Sequence, residues 1–423
     1  MGIGGRLLGP DVEFDGASFD RRSLAPGQLF VPIVAERNGH EFIGDAYAAG
    51  AALHLTSEPD DFRRDHTSIE VADTATALMA LAATARRRSS ARVVGVTGSV
   101  GKTSTKDLIA AACETQLMTA ANERSFNNEQ GMPITILNAP DDTEVLVLEM
   151  GMRGFGEISS LCEVARPEIG VVTAVGHSHT ERVGGIEGVA RAKRELVEAL
   201  PKSGTAVLNA DDHRVAGMSR YTGASVLTYG TTGDVRIIDL ELDSLARARF
   251  TLQTPWGTTR VELAVSGEHM AMNAAGAIAV AGALGVELDA AAAGLAEAGI
   301  SGMRMAINKL SSGAVVVDDT YNANPTSMAA ALDAVIAMEA DRRFAVLGEM
   351  GELDDPGAGH REVARRAEAL GVELIAVGTD LYGVRPTEHP IAALGDLGAG
   401  DVVLVKASRS AGLERIVAEL TGG

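Results

Sequence analysis

The chain has only two cysteines in 423 residues, Cys113 and Cys162, and no paired cysteine spacing. This argues against a disulfide framework or a cysteine-built zinc site, and it fits a reducing compartment. Positive charge is also in deficit, with 37 Lys and Arg against 57 Asp and Glu and a formal net charge of −20. So acidic a chain is a poor ligand for nucleic acid or anionic membranes, and it can hold phosphate only through a local device. Six of the 37 basic residues are lysine, so the position of each one is informative. No basic-then-apolar leader opens the chain, because Asp11, Glu13 and Asp15 come early. Arg6 stands where N-myristoylation needs Ser or Thr. The longest apolar-looking stretch, residues 274–286, is rich in Ala and Gly and too short to span a bilayer. These absences lead to an expectation of a cytoplasmic protein with no nucleic-acid partner and no membrane insertion.

What is present is ordinary for a globular chain: 46% hydrophobic and 22% charged residues. At about 100–200 residues per domain the length suggests two to four domains. Three units are expected, at residues 1–88, 91–305 and 309–423. The first contains a short strand at 28–33, a short helix at 42–50 and an apolar strand at 51–55, with 86–90 (Arg-Arg-Arg-Ser-Ser) read as a linker. In the second, buried strands at 92–96, 144–149, 169–175 and 205–209 alternate with helical patterns. That argues for a parallel sheet covered on both faces. Residues 225–267 alternate Thr, Val and Arg between turn signals and suggest an antiparallel excursion, followed by an alanine-rich helix at 270–285. The third unit has strands at 314–318, 344–348, 373–377 and 401–405 and reads as a second, Rossmann-like parallel α/β sheet. The fold class is therefore α/β, with a small N-terminal α/β domain, a central parallel-sheet domain and a C-terminal α/β domain.

The strongest chemical signal is Gly98-Ser99-Val100-Gly101-Lys102-Thr103-Ser104. It follows a strand and opens a helix, the setting a phosphate loop requires. Glycines let backbone N–H groups approach phosphate oxygens, and the helix N-terminus favours negative charge. Lys102 would reach the β- and γ-phosphates and Thr103 would ligate Mg2+. Strict Walker spacing wants glycine at 96, where Val96 sits, so a glycine-rich turn without nucleotide is the competing reading.

Glu149 ends a strand and suits a second metal ligand, or a simple turn residue. His177 and His179 follow another strand end. Lys193 lies on a predicted helix over 185–200, with apolar residues at −7, −4, −3, +4 and +7 on its face. It either snorkels or is buried with a lowered pKa. An uncharged amine there reacts with carbon dioxide to give an anionic carbamate that completes a metal site. In the third unit, Asp318-Asp319-Thr320-Tyr321-Asn322-Ala323-Asn324-Pro325 follows a strand and suits ribose, phosphate or water contacts. The same residues form an Asx-rich turn with Pro325 opening a helix. Lys406 and Arg409 follow the last strand and suit a carboxylate or phosphate.

Together these residues resemble the Mur ligases. The resemblance rests on residues 97–104, on 125–129 (Ser-Phe-Asn-Asn-Glu) with Gly131 and Pro133, on 149–151, His179, the Ala192-Lys193 helix and 318–325. The Tyr-Asn-Ala-Asn-Pro run and 347–353 (Leu-Gly-Glu-Met-Gly-Glu-Leu) are similar to the MurF type, and the likeness spans nearly the whole chain. The family's phosphate loop carries the same one-residue departure from Walker spacing.

The resemblance implies an ADP-forming ligase, acting as a monomer, that joins UDP-N-acetylmuramoyl-tripeptide to D-alanyl-D-alanine through an acyl phosphate. It implies ATP, two Mg2+ ions and a carbamate on Lys193. It places Thr103, Glu149, His179 and Lys193 at the metals, Lys102, Lys193, His179 and Asp319 in catalysis, and His269, Asn273 and Arg304 with the phosphate loop at the nucleotide. Asp20, Arg22, Asn127, Asn128, Asn322, Asn324, Lys406 and Arg409 are implied substrate contacts. Two departures stand out. The family's N-terminal Asp-Ser-Arg is Asp20-Arg21-Arg22 here, and residues 38–42 (Asn-Gly-His-Glu-Phe) replace a usual Asp-Gly-His beginning. The alternatives are a sister Mur or folylpolyglutamate-type ligase with another acceptor, and a non-catalytic nucleotide-binding homologue.

Overall fold

The structure, a computed structural model, describes residues 3–58, 66–123, 126–176 and 180–422. Three sheets organise them. The N-terminal sheet has five short strands, in the order Arg6–Leu8, Ser68–Glu70, Leu53–Thr56, Leu29–Phe30 and Ala17–Ser18. The strand expected over 28–33 shrinks to two paired residues. Pro32 lacks the N–H that would extend the ladder, and its carbonyl instead accepts Thr74 Oγ1 at 2.5 Å.

The central sheet has nine strands. Arg92–Thr97 lies between Ile169–Val172 and Val145–Glu149, parallel to both. Thr205–Asn209 and Ser225–Gly230 continue the parallel part, so the antiparallel excursion begins later than expected. It comprises Val235–Leu242, Arg247–Thr254 and Gly257–Ser266. The apolar parallel strands Val145–Glu149 and Ile169–Val172 are buried on both faces. One face is covered by the helices Lys102–Glu114 and His269–Leu284, and the other by Glu157–Ala165 and Ile186–Glu198.

The helix Thr74–Arg88 ties the first sheet to the second. Leu78 packs in the N-terminal core and Ala82 in the central one. The expected linker at 86–90 is partly helix: Arg86 to Arg88 form its last turn. Arg86 is buried and its Nε donates to the Ala165 carbonyl at 2.9 Å. A cation in the last helical turn also complements the helix dipole.

The C-terminal sheet has the order Ala306–Lys309, Val315–Asp319, Asp401–Lys406, Arg342–Leu347 and Glu373–Ala376. Its first strand is antiparallel and the rest are parallel. The sheet thus begins at Ala306, immediately after the connecting segment 299–305.

Candidate active site

In an open parallel sheet, ligands gather where neighbouring strands end and the connections diverge. Here the ends of Arg92–Thr97, Val145–Glu149 and Ile169–Val172 are adjacent, and the C-terminal sheet faces them. Between lies a cavity of about 980 Å³.

The glycine turn forms its floor. An added Cβ at Gly98 would overlap Thr173 Oγ1, and one at Gly101 would sit 2.7 Å from Asn273 Oδ1, so neither position has room for a side chain. Gly101 also has φ +80°, which a residue with Cβ rarely adopts. Gly98 itself is set back from the cavity, which is lined by Ser99 through Ser104. Ser99 Oγ donates to the Gly176 carbonyl at 3.1 Å, and Thr173 Oγ1 donates to Val100 O at 2.6 Å. Lys102 Nζ folds back onto the Gly98 carbonyl at 2.8 Å. Burial, the largest cause, holds its pKa below the usual lysine value. Glu149 pulls the other way.

Glu149 is 1% exposed. Its Oε2 accepts the Thr103 hydroxyl at 2.6 Å and its Oε1 accepts Asn127 Nδ2 at 2.7 Å. Lys193 is 2% exposed and lines the same cavity. The helix Ile186–Glu198 presents it between the buried Val189 and Val197, as the apolar spacing predicted. Among the described residues no hydrogen bond or ion pair reaches its ammonium. Burial first, then the Lys102 charge, push its pKa well below the usual lysine value, against a smaller pull from Glu149. Burial and the Lys102 charge thus both disfavour the charged form of Lys193.

No group of three or more His, Cys, Asp or Glu suited to a metal occurs among the described residues. A cation here would draw on the Glu149 carboxylate, the Thr103 hydroxyl and oxygens brought by ligands. That donor set suits Mg2+, which keeps few protein ligands and takes substrate phosphates. His177 and His179 lie outside the described residues, as does Ser125.

The far wall belongs to the start of the alanine-rich helix and to the C-terminal domain. His269 and Asn273 line the cavity from the helix His269–Leu284. Burial lowers the pKa of His269, with Asp319 acting in the opposite sense. Arg304 enters from the connecting segment, its guanidinium 4.1 Å from the centre of the Tyr321 ring. Its neighbours Met303 and Met305 have φ of +63° and +51°, a left-handed conformation that costs a residue with Cβ about 1–2 kcal/mol.

Asp319 accepts Lys406 Nζ at 2.6 Å, and the same ammonium donates to Asn322 O at 2.8 Å. Asn324 caps the helix Pro325–Ala337 in a reciprocal box with Ser327, so the Asx-rich turn is present at the cavity wall. Asn322 and Asn128 also line the cavity while accepting nearby backbone N–H groups. Arg409 lines it too, paired with Glu414 at 2.9 Å.

Asp20 and Arg22 are not brought there. They pair with each other in the N-terminal unit, Arg22 Nη2 donating to Asp20 Oδ2 at 2.7 Å. Sequence reasoning did not single out Asn122, whose Oδ1 accepts the Glu149 backbone N–H at 2.5 Å. Its only sequence signal is its place between a short strand and the 125–129 motif.

Residues 96–281 match the Mur ligase middle domain, and 303–416 match the Mur ligase glutamate ligase domain. A UDP-N-acetylmuramoyl-tripeptide–D-alanyl-D-alanine ligase of Mycobacterium bovis is 38% identical, over 96% of this chain and 92% of its own. Its counterpart in Escherichia coli is 35% identical, over 99% and 96%. This chain belongs to the Mur ligases, in their MurF branch. Solved MurF structures agree. One from Acinetobacter baumannii superposes with a TM-score of 0.85 at 27% identity, covering 99% of this chain and 96% of that one. A Thermotoga maritima MurF ligase in complex with ADP gives 0.84 at 27% identity, over 96% and 97%. In this MurF-branch chain the phosphate turn shares one cavity with the three candidate metal ligands among the described residues, Thr103, Glu149 and Lys193.

Proposed function

We propose that the chain ligates D-alanyl-D-alanine to UDP-N-acetylmuramoyl-tripeptide, using ATP and releasing ADP and phosphate, as a cytoplasmic monomer in peptidoglycan precursor synthesis. The observation that carries this reading is the convergence of the glycine turn, the Thr103–Glu149 pair and a buried Lys193 in one interdomain cavity. The names of the relatives supply the substrates. On this reading residues 1–88 hold the UDP end, 91–305 the ATP, and 309–423 close over both.

A carboxylate is a poor electrophile toward an amine. Transfer of the γ-phosphoryl group from ATP to the tripeptide's terminal carboxylate makes an acyl phosphate, with ADP leaving. The D-Ala-D-Ala amine then attacks the acyl carbon, the tetrahedral intermediate collapses, and phosphate departs. The loop N–H groups and Lys102 stabilise charge on the phosphates, which requires Lys102 to leave the Gly98 carbonyl when nucleotide enters. His269 and Asn273 border the adenine. Arg304 and Asp319 approach the phosphates from the C-terminal side, and Lys406 orients Asp319. Asn127 holds Glu149 through one carboxylate oxygen, leaving the other free once Thr103 turns to its ligand.

Thr103 and Glu149, with His179 and Lys193, would hold two Mg2+ ions, which would neutralise phosphate charge. A neutral Lys193 amine fits carbamylation: its nitrogen bonds to CO2, a proton leaves, and a carboxylate-like group results. Carbon-13 bicarbonate NMR is expected to show a carbamate resonance that is absent in Lys193→Ala. Asn128, Asn322, Asn324 and Arg409 line the peptide end. Asp20 and Arg22 serve the UDP end.

An ADP-release assay across amino acids and dipeptides tests the assignment. D-Ala-D-Ala is expected to stimulate turnover above every L-amino acid. Stimulation by glutamate instead would point to a folylpolyglutamate-type acceptor, and ATP binding without turnover would point to a scaffold.

A further inference from the structure

Lys106 is buried yet has no place in the chemistry above. It lies one turn beyond Lys102 on the phosphate-loop helix and is 2% exposed. Its Nζ donates to the Asn122 carbonyl at 2.5 Å and pairs with Asp107 Oδ1 at 2.7 Å. Each partner leads on to a different part of the site.

Asn122 is itself buried, and its side chain clamps two backbones. Oδ1 accepts Glu149 N–H, and Nδ2 donates to Phe126 O at 2.5 Å. The chain after Phe126 carries Asn127, which holds the Glu149 carboxylate. Asn122 therefore sets both the strand end from which Glu149 projects and the loop that orients its carboxylate. Asp107 points the other way. Its Oδ2 accepts Ser301 N–H at 2.8 Å, and its Oδ1 accepts Ser301 Oγ at 3.1 Å. Ser301 lies in the segment 299–305, which carries the strained Met303–Arg304–Met305 turn into the C-terminal sheet.

We propose that Lys106 is a positioning residue that couples the Glu149 cation site to the segment connecting the central and C-terminal domains. It acts through Asn122 on one side and Asp107 on the other, and it rests on the reading of Glu149 as a metal ligand. The physical reason is the cost of a buried charge. An ammonium out of water must keep its partners, so the Asn122 carbonyl and the Asp107 carboxylate cannot drift apart independently. A shift of Ser301 pulls on Asp107, and Lys106 transmits it to the Asn122 clamp. A hydrophobic residue could fill the same volume, but it would not tie the two ends together.

The test uses the full-length protein, with Mn2+ as the probe. Mn2+ affinity in the presence of ADP is read by electron paramagnetic resonance. Amide exchange over 299–305 is read by mass spectrometry with and without Mn2+ and ADP. In wild type, Mn2+ with ADP is expected to slow exchange over 299–305. In Lys106→Met, Mn2+ binding is expected to weaken about tenfold, and exchange there becomes insensitive to the ligands. Asp107→Asn is expected to lose the exchange response while keeping most of the Mn2+ affinity, because the Asn122 side of the link survives.

Glu149→Gln runs in parallel. If it too leaves Mn2+ binding unchanged, the reading of Glu149 as a ligand falls. If Glu149→Gln abolishes binding while folded Lys106→Met binds within twofold of wild type and keeps the exchange response, the coupling is overturned. Should Lys106→Met not fold, Lys106→Arg and Asp107→Asn decide. Both retaining the wild-type exchange response also overturns it.

Discussion

A lysine ammonium enclosed without a hydrogen-bond partner destabilises the fold that contains it. Burial disfavours the charged form of Lys193, and among the described residues nothing pairs with its amine, so its removal separates stability from activity. In bicarbonate-free buffer, Lys193→Met is expected to unfold at higher denaturant, by about 1–3 kcal/mol, while ADP release falls at least about a hundredfold. Loss of both together would show that the amine is structural.

His54 makes the opposite kind of demand. Tyr47 Oη donates to Thr67 O at 2.6 Å, so at the 3.0 Å contact His54 Nδ1 must be the donor to Tyr47. That leaves Nε2 bare and buried, without a partner among the described residues. Burial, with the His66 and His40 charges, depresses its pKa to about 4. The unfolded chain then binds a proton that the folded chain refuses between pH 6.5 and 4. Stability is complete above pH 6.5 and falls by about 3 kcal/mol on the way to pH 4. Protection of the amides in the strand Leu53–Thr56, taken relative to intrinsic exchange at each pH, is expected to fall over that window, and His54→Phe to flatten the dependence.

Elements differed in how plainly they could be read. The parallel strands at 92–97, 145–149, 205–209 and 401–406 were legible because strands buried on both faces are apolar without interruption. In the N-terminal unit the apolar run at 51–55 marked Leu53–Thr56, but Arg6–Leu8, Ala17–Ser18 and Ser68–Glu70 were not legible, because two or three residues carry no periodicity. The helix with Lys193 was legible from its apolar stripe, and the strand-end rule located Glu149. Lys106 and Asn122 were illegible as site residues. Their roles come from backbone carbonyls and N–H groups that any sequence supplies, so no residue pattern marks them. Arg86 was hidden in an arginine run whose other members are exposed.

One element carries its own reporter. The hairpin turn at Trp256, the only tryptophan, lies over the helix His269–Leu284, and a Cβ added at Gly282 would overlap its ring. Gly282→Ala is expected to displace the indole, red-shift its emission and cost about 1–3 kcal/mol.

For the whole molecule, charge governs how substrates arrive. Both nucleotide substrates are anions, and the chain carries −20. Long-range repulsion therefore opposes encounter, while Lys102, Arg304 and Lys406 attract only within a few ångströms. Raising ionic strength from about 10 to 100 mM shortens the Debye length from about 30 to 10 Å. It is expected to raise kcat/KM for ATP, contrary to the usual behaviour of a basic nucleotide site. A steady fall with salt would show that local cations dominate even at a distance.

The strand order has a consequence for synthesis. Strand Arg92–Thr97 has as its two neighbours strands made about fifty and seventy-five residues later. A nascent chain that has cleared the ribosome only as far as residue 120 holds a glycine turn with neither Thr173 beneath it nor Glu149 beside it. Nucleotide cannot template this domain from its first strand, and any help it gives to folding comes only after the chain has passed Lys193.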